Sequence, residues 1–129
     1  MSFDWIDYLN LAKELAGQPT NPSTQDSKLR SAISRAYYAV FCKARNYLRD
    51  NKPEVQITNT GTDHIIVWKW FRSQTEIPLK KIGEAGRRLK KDRRKADYDD
   101  TIPNLSSLSA KGMIVATQIF STFKKLQLP

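Results

Sequence analysis

Apolar residues at positions 29, 32, 33, 36, 37, 40, 41, 44 and 48 recur at three- and four-residue spacing between about Asp26 or Ser27 and Asn51, ahead of Pro53. That spacing keeps one face of an α-helix turned toward its neighbours, and a strand cannot produce it. The stretch therefore predicts a long helix at the centre of the fold, one that other elements must cover.

Four further helical segments can be read, and nothing alternates like a strand. The first runs from about Asp4 to Ala16, with Trp5, Leu9, Ala12 and Leu15 on one side, and stops at Gly17 before Pro19; Gly17 to Gln25 is a loop. A third helix starts near Thr62, where HIIVWKWF is apolar on most sides and Asp63 suits the first turn, and it is expected to be largely buried. Pro78 opens a fourth, which fades into DYDDTIP at Pro103. The fifth begins within Ser106 to Ser109 and reaches about Leu126, with Leu108, Gly112, Val115, Ile119, Phe123 and Leu126 in register. Short connections favour antiparallel neighbours, so the expected fold is all-α: an up-down four-helix bundle plus a short N-terminal helix, one domain over residues 1–129. No stretch approaches the ~20 apolar residues of a membrane span, and MSFDWIDYLN lacks the parts of a secretory signal, so a cytoplasmic location without membrane contact is expected.

The chain carries 22 Lys and Arg against 13 Asp and Glu, a net charge of +9. Residues 80 to 95 hold nine of those cations against Glu84 and Asp92. Lys80, Lys81, Arg87, Arg88, Lys90, Lys91, Arg94 and Lys95 form a cationic surface beyond what solubility needs, which fits a polyanion or an acidic protein. Arg93 stands apart. Leu79, Ile82, Gly86, Leu89, Arg93 and Ala96 share one apolar seam, and a guanidinium is costly to bury there without partners. Either it forms a structural ion pair with Asp97, Asp100 or another carboxylate, or it contacts a nucleotide or RNA.

On the central helix, Arg35, Tyr38, Cys42, Arg45 and Arg49 lie opposite the core face, a mixture suited to a dimer or ligand surface. Cys42 is the only cysteine and His64 the only histidine, which excludes an internal disulfide and any site needing two imidazoles from one chain. His64 is spaced with Val67, Trp68 and Phe71, which places it at a core margin in preference to a catalytic role; Tyr37, Trp68, Trp70 and Phe71 read as core. The consecutive carboxylates in DYDD complement Arg93 to Lys95 better than they suggest a metal site, and no cofactor is expected.

The segment LRSAISRAYYAVFCKARNYL, Leu29 to Leu48, resembles the signature helix of HEPN domains, and RRKADYDD, Arg93 to Asp100, resembles the second block of that family; together they cover roughly a quarter of the chain. The resemblance implies a homodimer-prone helical bundle, often encoded beside a minimal nucleotidyltransferase or serving in toxin–antitoxin and defence systems. Many such domains are metal-independent ribonucleases using an arginine followed four to six residues later by a histidine. Here Arg93 matches the arginine and Asp97 a polar neighbour, but Tyr98 stands where the histidine is expected. A phenol with a reference pKa near ~10 is a poor base, so binding survives this departure more easily than catalysis.

Three functional expectations follow. The first is a module binding a nucleotide, RNA or acidic partner through Arg87, Arg88, Lys91, Arg94 and Lys95, with Arg35, Tyr38, Cys42 and Arg45 as an interface or ligand face. The second is a ribonuclease toxin in which Arg93 steadies the transition state while Asp97, Tyr98 or His64 moves the proton. The third is an interaction subunit for a nucleotidyltransferase or antitoxin.

Overall fold

The computed structural model describes residues 3–17 and 22–126. Of the described residues 79% are helical, in five helices, and there is no strand among them. They are α1 (Ile6–Gly17), α2 (Pro22–Asn51), α3 (Asp63–Arg72), α4 (Ile77–Tyr98) and α5 (Leu105–Lys125). The all-α bundle with a short N-terminal helix is thus the observed architecture. No helix among the described residues is long and apolar enough to cross a membrane.

α2 is the spine and touches all four other helices; α3 packs on α4, and α5 closes against α1, α2 and α4. Tyr37, Val40, Ala44 and Leu48 of α2 are sealed against Val67, Trp68 and Phe71 of α3, Ile82 and Leu89 of α4, and Ile119 and Phe123 of α5. Each large apolar side chain so removed from water contributes about 1.5–3 kcal/mol before chain entropy is set against it. A smaller cluster of Leu29, Ile33, Ala96 and Leu105 ties the start of α2 to the end of α4 and the start of α5.

Two local expectations are corrected. α2 begins at Pro22, about a turn before Asp26, so part of the expected loop is helical. Proline suits a first helical position because its missing N–H has no intrahelical acceptor to reach; residues 18–21 of that loop lie outside the described residues. α3 is buried on one face only, through Asp63, Val67, Trp68 and Phe71, while Ile65 is 59% exposed. α2 and α4 both pack against the opposite side of α3, which leaves Ile65 turned to solvent.

Asp63 acts backward on the preceding loop. Its carboxylate accepts hydrogen bonds from the Thr58 amide (2.7 Å), the Thr58 hydroxyl (2.8 Å) and the Asn59 amide (2.8 Å). Desolvation alone would raise its pKa, but these donors hold the carboxyl below its ordinary value.

Candidate functional site

The α4 helix carries two chemically different faces. Outward, Lys80, Glu84, Arg87, Lys91, Arg94 and Tyr98 recur at three- and four-residue spacing and line one groove with Arg88, Lys90, Lys95 and Asp99. Arg72, from the end of α3, joins them. All five cations expected to bind, Arg87, Arg88, Lys91, Arg94 and Lys95, are exposed there. The ion pairs among the described residues are Arg30–Asp26, Arg49–Asp50 and Arg93–Asp97, so none of the five is in a direct salt bridge, although Asp92 lies within electrostatic reach of Arg88, Lys91 and Lys95. Lys90, partly buried among Arg94, Arg93 and Arg87, has its pKa lowered first by burial and then by those charges. The Nε of Arg72 is buried without a hydrogen-bond partner.

Inward, α4 presents Arg93 to a corner built by α2 and α3. Its side chain is 13% exposed, its guanidinium lies 5.4 Å from the Tyr37 ring centre and 5.3 Å from that of Tyr38, and Nη1 donates to Asp97 at 3.2 Å. The structural ion pair and the placement against aromatic rings therefore coexist. Nε is buried with no partner. The seam is open enough to admit the cation because its neighbours there are π faces, which attract a guanidinium.

Behind Arg93 runs a chain of hydrogen bonds. The Trp68 indole N–H donates to the Tyr37 oxygen at 3.1 Å, and that oxygen lies 2.6 Å from His64 Nδ1. Tyr37 is fully buried, so its proton has one useful acceptor, His64 Nδ1, and the histidine proton then sits on Nε2. Burial raises the Tyr37 pKa further above the ordinary phenol range, and the Trp68 hydrogen bond and Arg93 only partly oppose it. His64 stacks on Phe41 at 3.8 Å. Its pKa falls to about 4, first through desolvation and then through the Arg93 and Lys90 charges.

The expected catalytic trio is only partly assembled. Arg93 and Asp97 meet, but Tyr98 is 77% exposed and lies about 140° around the helix from Arg93, so the phenol joins the outer groove. His64 does share the aromatic corner with Arg93, yet as a neutral ring with Nδ1 filled it is unsuited to accept a proton.

The α2 face expected as an interface is also divided. Cys42 is buried, and burial raises its thiol pKa. Tyr38 belongs to the Arg93 corner. The Arg35 guanidinium lies 5.5 Å from the Tyr8 ring centre, and that of Arg45 lies 6.0 Å from Trp5. Trp5 and Tyr8 form an aromatic cluster with Phe3 and so cover part of this side of α2, while Arg35 and Arg49 stay exposed.

Sequence reasoning missed Arg30 and Arg72. From α2, Arg30 donates to the carbonyls of Ala96 (3.0 Å), Asp99 (2.6 Å) and Asp100 (3.2 Å), satisfying the exposed end of α4 and shaping the DYDD segment. No local pattern announces a contact between residues so far apart in sequence. Arg72 likewise reaches the groove through α3–α4 packing.

The corner yields one prediction. Arg93→Met should match or exceed the parent protein in urea denaturation by about 1 kcal/mol, because methionine fills the seam without a desolvated charge. Arg93→Ala should lose about 2 kcal/mol by leaving a void. A loss on methionine as large as on alanine would make the cation itself a structural requirement.

Comparisons of the chain with protein-family models, with curated proteins and with solved structures find no match.

Proposed function

We propose that the chain is a HEPN-like module that binds RNA along the outer face of α4 and does not cleave it. One observation carries the reading: the groove cations, Arg72 included, line a single track and are not consumed by internal ion pairs. Cations held close together repel one another, and a phosphate backbone relieves that repulsion while releasing counterions. The non-catalytic part rests on the site chemistry: His64 is neutral with Nδ1 filled, Tyr98 is turned away from Arg93, and the Asp97 carboxylate is engaged by Arg93 itself. Homodimerisation and a nucleotidyltransferase or antitoxin partner rest on the resemblance of Leu29–Leu48 and Arg93–Asp100 alone.

The test is fluorescence anisotropy with a labelled RNA across a salt series. Substituting Arg87, Lys91, Arg94 and Lys95 together by glutamine should reduce the slope of log K against log salt by about 3 and weaken binding at least about tenfold. Absence of RNA affinity at low salt, or equal affinity for polyglutamate, would overturn the reading in favour of an acidic protein partner. RNA cleavage that disappears with Arg93→Ala would overturn the non-catalytic half.

A further inference from the structure

We propose, building on that RNA-binding reading, that the groove takes a single strand and that one of its bases stacks on Tyr98. Among the described tyrosines, Tyr37 and Tyr47 are buried, Tyr8 and Tyr38 are half-buried, and Tyr98 is 77% exposed. Its ring makes none of the aromatic contacts that hold the other four. It is also the only aromatic residue lining the cationic groove.

The placement is specific. Residues 87, 91, 94 and 98 share one helix face, so Tyr98 continues the line of cations and ends it, about 6 Å along the axis beyond Arg94. Past Tyr98 the chain turns acidic. Asp97 is paired with Arg93, but Asp99 lines the groove and Asp100 follows it. Phosphates are therefore favoured up to Arg94 and Lys95 and disfavoured beyond. What the last position offers a strand is a flat apolar ring, which suits a base and not its backbone. A duplex keeps its base faces stacked internally and cannot use this ring, whereas a single strand can turn a base out onto it.

The experiment compares Tyr98→Ala, Tyr98→Phe and the parent protein by anisotropy at low salt. The probes are a twelve-nucleotide single-stranded RNA, the DNA of the same sequence and a hairpin RNA duplex. Thermal melting confirms that each variant is folded. Tyr98→Ala should weaken single-strand binding about tenfold, Tyr98→Phe should retain it, and duplex affinity and the salt slope should not change. RNA and DNA strands should respond alike, because neither stacking nor phosphate contact reads the 2′-hydroxyl. An unchanged single-strand affinity for Tyr98→Ala, or an equal loss on the duplex, would overturn the stacking proposal. If the four-glutamine variant still loses RNA while Tyr98→Ala does not, stacking alone fails; if neither variant changes binding, RNA recognition by this face fails with it.

Discussion

Gly83→Ala should destabilise the protein by about 3 kcal/mol in urea denaturation, although alanine is the better helix former by about 1 kcal/mol. A Cβ at Gly83 would fall 2.5 Å from the Arg72 amide nitrogen and 2.9 Å from the Phe71 carbonyl carbon. Both obstacles are backbone, so the end of α3 would have to move bodily off α4. Gly86→Ala meets the Trp68 ring instead. That indole is buried and tied to Tyr37, so it has little room to yield and the expected loss is likewise about 3 kcal/mol. Gly112→Ala supplies the opposite sign: its Cβ would meet only Leu89 Cδ2 at 3.9 Å, an ordinary contact, so the variant should gain about 0.5–1 kcal/mol. Three glycine-to-alanine changes in helices thus separate packing from propensity. Equal effects at all three would show that α3 and α4 do not pack as closely as described.

The close approach at Gly83 and Gly86 explains what was legible beforehand and what was not. Gly86 stood on the apolar seam of the basic helix, so its burial could be read from spacing. Gly83 and its contact with Arg72 could not, because the crossing of two helices depends on side chains from both. The five helices followed from periodicity, which each segment carries within itself. The N-terminal extension of α2 did not, because Pro22 reads equally as a loop residue and as a first helical position. The same division holds for the candidate site. The cations of α4 are consecutive in sequence and were found; Arg72 and Arg30 act at distances the sequence does not encode locally. His64 was expected at a core margin and lies there, half-buried, but its hydrogen bond to Tyr37 joins α2 to α3 and needed the fold. The spacing of α2 says nothing of Trp5 and Tyr8, which lie beside Arg45 and Arg35 on its second face, because they come from α1 and the residues just before it.

The two faces of α4 also impose different demands. The outer cations are exposed, cost little to keep in water and weaken their own helix only through mutual repulsion. Arg93 is enclosed, and its partnerless Nε is a standing cost that the Tyr37 and Tyr38 rings and Asp97 offset in part. A stability change at Arg93 and a binding change at Arg87 to Lys95 should therefore be separable, since the two sets project to different sides of the helix.

Tyr37→Phe should cost about 2 kcal/mol at pH 7, out of proportion to the loss of one oxygen. The hydroxyl is both acceptor for the buried Trp68 N–H and donor to His64 Nδ1, so its removal orphans a group on each side. The variant also changes the response to acid. In the folded protein His64 has a pKa of about 4 against 6.5 when unfolded. Above pH 6.5 neither state binds the proton, and the residue adds no pH dependence. Between 6.5 and about 4 the unfolded chain takes up a proton that the folded chain refuses, so stability falls with pH across that window and levels off below it. Water screens the half-exposed ring, so the loss attributable to His64 between pH 7 and pH 5 should be about 1 kcal/mol. His64→Gln should lack that component, and the difference between parent and variant cancels the carboxylates that titrate in both. In Tyr37→Phe the neutral imidazole loses the donor that favours it, so the His64 pKa should rise toward its ordinary value and the acid loss should shrink. His64 is the only histidine, so one resolved imidazole resonance in an NMR titration reads the shift directly. A His64 that titrates near 6.5 in the parent protein would mean that its ring is not desolvated beside Phe41 and Arg93 as described.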